Sequence, residues 1–327
     1  MPELSISTDA REPVVDILAK VHAAYEAGVR TLWVANHLFQ RDPVTLAHAA
    51  LARCPQLRVV LMAVNPFTQH PVQAAMSTAT LDELYPGRVS LCLGAGAPAD
   101  LQSVGIDGSK PLGLMREAMQ LTRALFSGET VRFEGQSFQV RGRVLANGHH
   151  RIPLILAASG PQMLELAGAS ADGVLITAGS SVEFVQWSVE QVRRGAGERK
   201  VRVHGLAYGA IDDDAGMACA RVRRTLGIVL RGPHHARNLA LTGSELDQAR
   251  LSKAVAENDT STMDSLITDE IVRRHTLAGT AADIRVRLQA YQEAGLDEAV
   301  LAGAVDAQQV SRILQGVATE RLWKASM

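Results

Sequence analysis

Five short stretches of this chain place polar side chains and glycines where an apolar run has just ended: Asn36-His37, Ala63-Val64-Asn65, Gly94-Ala95-Gly96, Ser159-Gly160-Pro161 and Thr177-Ala178-Gly179. An imidazole such as His37 exchanges a proton near neutral pH and suits general acid–base work. Glycine and a hydroxyl at a helix start suit an anion, because the first amides of a helix lack partners and carry the positive end of its dipole. Ser159-Gly160 ahead of PQMLELAGAS, with Thr177 and Gly179 at the next strand end, therefore reads as a phosphate cradle. On spacing alone, the favoured account of Ser159-Gly160-Pro161 is an ordinary helix cap with proline in the first turn.

Other candidates have plainer readings beside the chemical one. His70, at the end of NPFTQHP, either caps the following helix or places its ring over a pocket mouth, and the cap is preferred. Phe39 and Phe67 sit in strand-end loops where they would wall an apolar substrate. Trp33 lies within an apolar run and reads as core. Asp82 and Arg88, flanking LYPG, read as a local pair or cap. The pairs His149-His150 and His234-His235 lack further ligand spacing and read as solvated loops rather than a metal site.

The elements that must position these residues are legible as alternating short β-rich and longer amphipathic runs. Strands are expected at ELSIS, TLWVA, LRVVLMAV, VSLCLGA, PLILAAS, GVLIT, VRVHGLAYG and EAVLAG. Helices lie between them: one starts at Pro13 and stops at Gly28, and the last is capped by Thr280 and ends at Gly295. Eight strands with intervening helices predict one (β/α)8 TIM barrel over residues 1–327, and no dinucleotide-type glycine fingerprint opens the first unit. The stretch GETVRFEGQSFQV, residues 128–140, alternates as a hairpin decoration, and residues 231–277 form a mostly helical insertion expected to act as a lid or substrate wall.

Composition narrows the function. The 327 residues are 47% hydrophobic and 20% charged, with a formal net charge of -1 and acids and bases interspersed. That leaves no electrostatic footprint for nucleic acid or an anionic membrane. No window is apolar enough to span a bilayer, and three scattered cysteines, Cys54, Cys92 and Cys219, fit a reducing compartment, so a cytoplasmic location is expected.

NPFTQHP followed by LDELYPGRVSLCLGAGAP, LAASGPQMLELAGASADGVLITAG and GTAADIRVRLQAYQEAGLDEAVL resembles the luciferase-like monooxygenase family of flavin and deazaflavin oxidoreductases, which includes bacterial luciferase and F420-dependent methylenetetrahydromethanopterin reductases. The resemblance implies the same barrel and either reduced FMN or coenzyme F420 as cofactor. It implies a non-prolyl cis peptide at Ala63-Val64 behind the cofactor ring, Asn65 at the ring edge, and room for the ribityl chain at Gly94, Ala95 and Gly96. Ser159, Gly160, Thr177, Ala178 and Gly179 would receive the phosphate, and His37, beside Asn36, becomes a candidate base or charge stabiliser. A homodimer is implied through helices beside strands two and three.

Three departures limit what carries over. Asn36 stands where many relatives have Asp, and Ala97 where some deazaflavin dehydrogenases have a Glu proton donor, with Asp100 nearby but outside that motif. Ser180 replaces the Lys that sugar-phosphate dehydrogenases of the family use. The leading expectation is thus a monooxygenase using reduced FMN, oxygen, a small organic substrate and a separate flavin reductase. The alternatives are hydride transfer with F420 and a flavin-binding barrel without catalysis.

Overall fold

The structure, a computed structural model, describes residues 1–303 and 306–317. The first half runs β1 (Glu3–Thr8), α1 (Val14–Glu26), β2 (Thr31–Ala35), α2 (Pro43–Arg53), β3 (Arg58–Val64), α3 (Pro71–Leu84), β4 (Val89–Leu93), α4 (Pro98–Ser103) and α5 (Pro111–Phe126). The hairpin β5 (Val131–Glu134) and β6 (Gln139–Arg143) follows, then β7 (Leu154–Ala158), α6 (Pro161–Ser170), β8 (Gly173–Ile176), α7 (Val182–Ala196) and β9 (Arg202–Ile211). After β9 come α8 (Ala215–Leu230), a 3-10 turn at Pro233–His235, α9 (Ala236–Thr242), α10 (Gln248–Ala256), α11 (Thr260–Leu266) and α12 (Asp269–His275). The chain closes with β10 (Leu277–Gly279), α13 (Ala281–Glu293), β11 (Glu298–Ala302) and α14 (Ala307–Val317).

Parallel pairing runs β9-β11-β1-β2-β3-β4-β7-β8, and β8 pairs again with β9, so eight strands close a TIM barrel as expected. β10 extends the open side of β9 outside the closed ring, pairing Leu277 with Gly209. Alternation along the strands separates two cores. Leu32, Val34, Leu61, Leu91 and Leu156 point outward into the layer under the helices, whereas Trp33, Met62, Cys92, Ile155, Leu175 and Val300 fill the barrel. Local signals set the helices: Ile17, Val21 and Ala24 give α1 its buried stripe. Thr280 and Asp283 form a reciprocal capping box at the start of α13.

The barrel interior also holds a charged group that the apolar reading of Trp33 did not anticipate. Trp33 Nε1 donates to Glu298 Oε1 at 2.9 Å, and Glu298 Oε2 lies 3.0 Å from His204 Nδ1 and 3.2 Å from an Arg202 nitrogen. The Trp33 and His204 rings meet edge to face at 5.0 Å. Burial alone would raise the Glu298 carboxyl, but His204, by hydrogen bond and charge, with Ser5 and Trp33, brings it down to about 2. A carboxyl held below its unfolded pKa adds stability that is present above pH ~4.3 and lost as pH falls toward the folded value. Glu298→Gln is therefore expected to lower unfolding free energy at pH 7 by about 3 kcal/mol. The difference from wild type should shrink as denaturation is repeated from pH 5 down to pH 3; a pH-independent difference would contradict this assignment.

Candidate active site

At the C-terminal ends of the strands, the site is built on a slip between β3 and β4. Leu61 pairs with Leu91, but the next partners are Val64 and Leu93, so Met62 and Ala63 together face Cys92 alone. The non-prolyl cis peptide lies there, between Met62 and Ala63, one residue earlier than the Ala63-Val64 position the resemblance implied. The extra residue of the slip falls at that bond, while Val64 has rejoined the ladder and buries its side chain in the outer core. Asn36 N donates to Met62 O at 2.5 Å and Gly94 N to Val64 O at 3.0 Å, which ties three strand ends together.

Small residues are required at this junction. A β-carbon on Gly94 would stand 2.8 Å from that of Ala63 and 3.2 Å from that of Ala157. Gly96 has φ +73°, and a β-carbon there would lie 2.3 Å from Asn65 Nδ2. Ala95 is half-buried between them. Asn65 orders NPFTQHP: its Oδ1 accepts from Phe67 N at 2.9 Å and its carbonyl from Thr68 N and Gln69 N. His70 caps α3, its Nδ1 accepting from Val72 N at 3.2 Å, and its ring meets Phe138 of the hairpin edge-on at 5.1 Å. Phe67 is half-buried, and Phe39, at φ +64°, is 81% exposed.

His37 follows β2 and is accessible, yet the protein around it still desolvates the ring and lowers its pKa from the usual 6.5. Arg11 lowers it further, and Asp100 and Asp9 oppose both effects. The structure thus brings Asp100, exposed on α4, into the electrostatic surroundings of His37, although no motif placed it there. Arg11 and Tyr208 were missed by sequence reasoning. Tyr208 lies on the same face of β9 as His204 and Leu206, and its pKa is raised by burial and then by Asp9, with Arg11 opposing. Period-2 alternation in VRVHGLAYG and the position of Arg11 just after the first strand were the available signals.

The cradle residues form two facing pieces of sequence. Gly160 is the N-cap of α6 with Pro161 at its first position, no side chain caps this helix, and a β-carbon on Gly160 would meet nothing within 4 Å. Among the described residues, neither the Ser159 nor the Thr177 hydroxyl is hydrogen-bonded to protein. Ala178 is buried, and Gly179 turns the chain at φ +72°.

The insertion packs on α7, α8 and β10, with an apolar cluster that includes Leu226, Leu230, Leu251, Met263, Ile267 and Val272. His235 is 0% exposed, which corrects the solvated reading for that residue, while His234 beside it is exposed; burial, then His234 and His275, lower His235 to about 3. His150 is likewise not free, lying 2.9 Å from Asp82 Oδ2. Asp82 does cap its turn, through Gly87 N, but Arg88 bonds the carbonyls of Leu51, Cys54 and Leu57 instead of pairing with it. Cys92, buried beneath the site, has its thiol pKa pushed far up by burial and stays protonated. Among the described residues no group of three or more His, Cys, Asp or Glu is placed to hold a metal, and no helix is long and apolar enough to cross a membrane.

A closed barrel with glycines, a histidine and an uncapped helix start at the C-terminal ends of its strands has these groups at the end where TIM-barrel enzymes carry their active sites. The chain belongs to the luciferase-like monooxygenase family, whose profile matches residues 2–298. It is 27% identical to a 5,10-methylenetetrahydromethanopterin reductase of Methanolobus tindarius over 298 residues, covering 88% of this chain and 90% of that one. It is 32% identical to an F420-dependent glucose-6-phosphate dehydrogenase of Beutenbergia cavernae over 182 residues, 52% of this chain and 54% of the other. The structure is similar, at TM-score 0.87 and 21% identity, to the coenzyme F420 dependent tetrahydromethanopterin reductase of Methanopyrus kandleri, covering 97% of each chain.

The charges around His37 give a two-sided expectation. In an NMR titration of the ring, wild-type His37 is expected to titrate below the usual 6.5, because the protein desolvates it and Arg11 lies near. Asp100→Asn should move the midpoint further down, because a carboxylate that favours the imidazolium is gone, and Arg11→Gln should move it up. Shifts in the opposite directions would show that these side chains do not face the ring.

Proposed function

We propose that the protein is a deazaflavin-dependent oxidoreductase that moves a hydride between F420 and a small organic substrate, with no oxygen consumed. The observation that carries this reading is the likeness to the methylenetetrahydromethanopterin reductase, which spans nine-tenths of that chain, 90%. The partial likeness to an F420-dependent dehydrogenase supports it. Exposure of His37, Phe39, Gly96, Ala97 and Asp100 adds support, since an oxygen intermediate needs a site that excludes water.

The residues present fit such a cofactor. Uncapped amides at the start of α6, open space at Gly160 and, among the described residues, two hydroxyls without protein partners offer a phosphate several hydrogen-bond donors. Gly94, Ala95 and Gly96 leave backbone and methyl groups where a ribityl chain would run, and Ala63 and Asn65 would back the ring. When bound, F420 supplies a ring carbon that gives or takes the hydride. His37, its pKa lowered, would accept or return the proton on the substrate heteroatom, and Asn36, a neutral amide, adds no further carboxylate to Asp9 and Asp100 around that imidazole. Replacement of Lys by Ser180 argues against a sugar phosphate as substrate.

A second reading, oxygen-dependent monooxygenation with reduced FMN from a separate reductase, is favoured by the matching family profile itself. Anaerobic fluorescence titration separates the two. F420 is expected to bind more tightly than FMN, and Gly160→Val, whose side chain enters free space at the helix start, should weaken F420 by about tenfold or more without loss of thermal stability. Tighter binding of FMN with substrate-dependent oxygen uptake would establish the second reading. Binding of neither cofactor would exclude both and leave a non-catalytic barrel.

A further inference from the structure

The turn at residues 177–181, one wall of the proposed phosphate cradle, is held on two sides by side chains distant in sequence. Asn238 Nδ2 donates to Gly179 O at 2.7 Å while its Oδ1 accepts from Ser181 N at 3.0 Å. His275 Nδ1 donates to the same Gly179 carbonyl at 2.9 Å. Tyr291 donates its hydroxyl to Ser180 O at 2.7 Å, and Ser180 Oγ donates to Thr177 O at 2.6 Å. Asn238 and His275 are 0% exposed and Tyr291 is 2% exposed.

These bonds have one consistent direction. With Nδ1 donating, neutral His275 accepts at Nε2, where Ser244 Oγ lies 3.4 Å away. A trans peptide points its N–H opposite to its carbonyl. Fixing the Gly179 carbonyl on Asn238 and His275 therefore turns the N–H of Ser180 away from those two side chains, while Tyr291 on the Ser180 carbonyl and Asn238 on the Ser181 N–H hold opposite sides of the next peptide.

Docking of the insertion does not require this arrangement, because the cluster around Leu226, Leu251 and Val272 already joins it to α8. Buried polar side chains are costly unless fully bonded, and three of them converge on one five-residue turn. We propose that Asn238, His275 and Tyr291 are positioning residues for cofactor phosphate. The insertion, through Asn238 and His275, then acts on the reaction by presenting the amide of Ser180, with Tyr291 of α13 steadying the same turn, rather than by covering the substrate. The inference rests on the reading of Ser159, Gly160, Thr177 and Gly179 as the phosphate site.

The test compares paired ligands that differ at the phosphate: FMN with riboflavin, and F420 with its phosphate-free chromophore. Affinities are measured for wild type, Asn238→Leu, His275→Phe and His275→Asn, the last keeping a donor near the position of Nδ1. Wild type should prefer the phosphorylated member of a pair. The Leu and Phe variants should lose about tenfold for that member, with little change for its partner, and His275→Asn should recover most of the loss. Equal losses for both members, or no loss for either, would overturn the positioning role. Absence of any phosphate preference in wild type would instead overturn the cradle itself.

Discussion

The close approach of β3, β4 and β7 at Ala63, Gly94 and Ala157 is the contact on which the site depends. There is no space for a β-carbon on Gly94 between the two alanine methyls. The slip of β3 against β4 brings Ala63 into that position, and the bond from Asn36 N to Met62 O fastens the second strand to the same point. The resulting floor consists of backbone and methyl groups. Such a floor offers a flat ring a surface but little chemistry, so under the proposed function selectivity and proton handling would fall to the edges: His37 among Arg11, Asp9 and Asp100 on one side, the helix start of α6 on the other.

The two ends of the barrel do different work. Trp33, Glu298, His204 and Arg202 fill the part nearer the strand starts with a buried charged network. Removing one partner of such a network leaves an unpaired buried group, so this end belongs to stability. The strand exits instead keep unpartnered hydroxyls, an uncapped helix and exposed loops, features that a protein optimised for stability alone would cap or bury. The helices after β9 connect with the second region through the Gly179 turn.

Much of this was legible in the chain because it rests on local rules. All eight barrel strands, a hairpin begun within residues 128–140, whose second strand runs on to Arg143, and the Thr280 cap follow from alternation and capping chemistry. Features that depend on distant partners were not. The slip that puts the cis bond at Met62-Ala63 is a relation between two strands, invisible in either one. Trp33 looked purely apolar because Glu298 is 265 residues away. His235 looked solvated because a polar, Ala-rich stretch gives no sign of which loop its helices will bury. Asp82 found His150 across 68 residues, while Arg88, beside it in sequence, was drawn to carbonyls. Among the site residues, glycines and strand-end polar groups could be read from position, but the charges that tune His37 come from two places distant in sequence, Asp9 and Arg11 in the loop after β1 and Asp100 on α4.

In the proposed function, a flat floor of small residues, a histidine at an accessible edge and a helix start that would take the phosphate serve a cofactor that exchanges hydride directly with substrate. The most direct measurement is a crystal structure of the protein with F420 bound. The account predicts the ring against Ala63 and Gly94, with the phosphate between Ser159-Gly160 and Thr177-Gly179. A ring away from the β3–β4 slip, or a phosphate bound elsewhere, would contradict it.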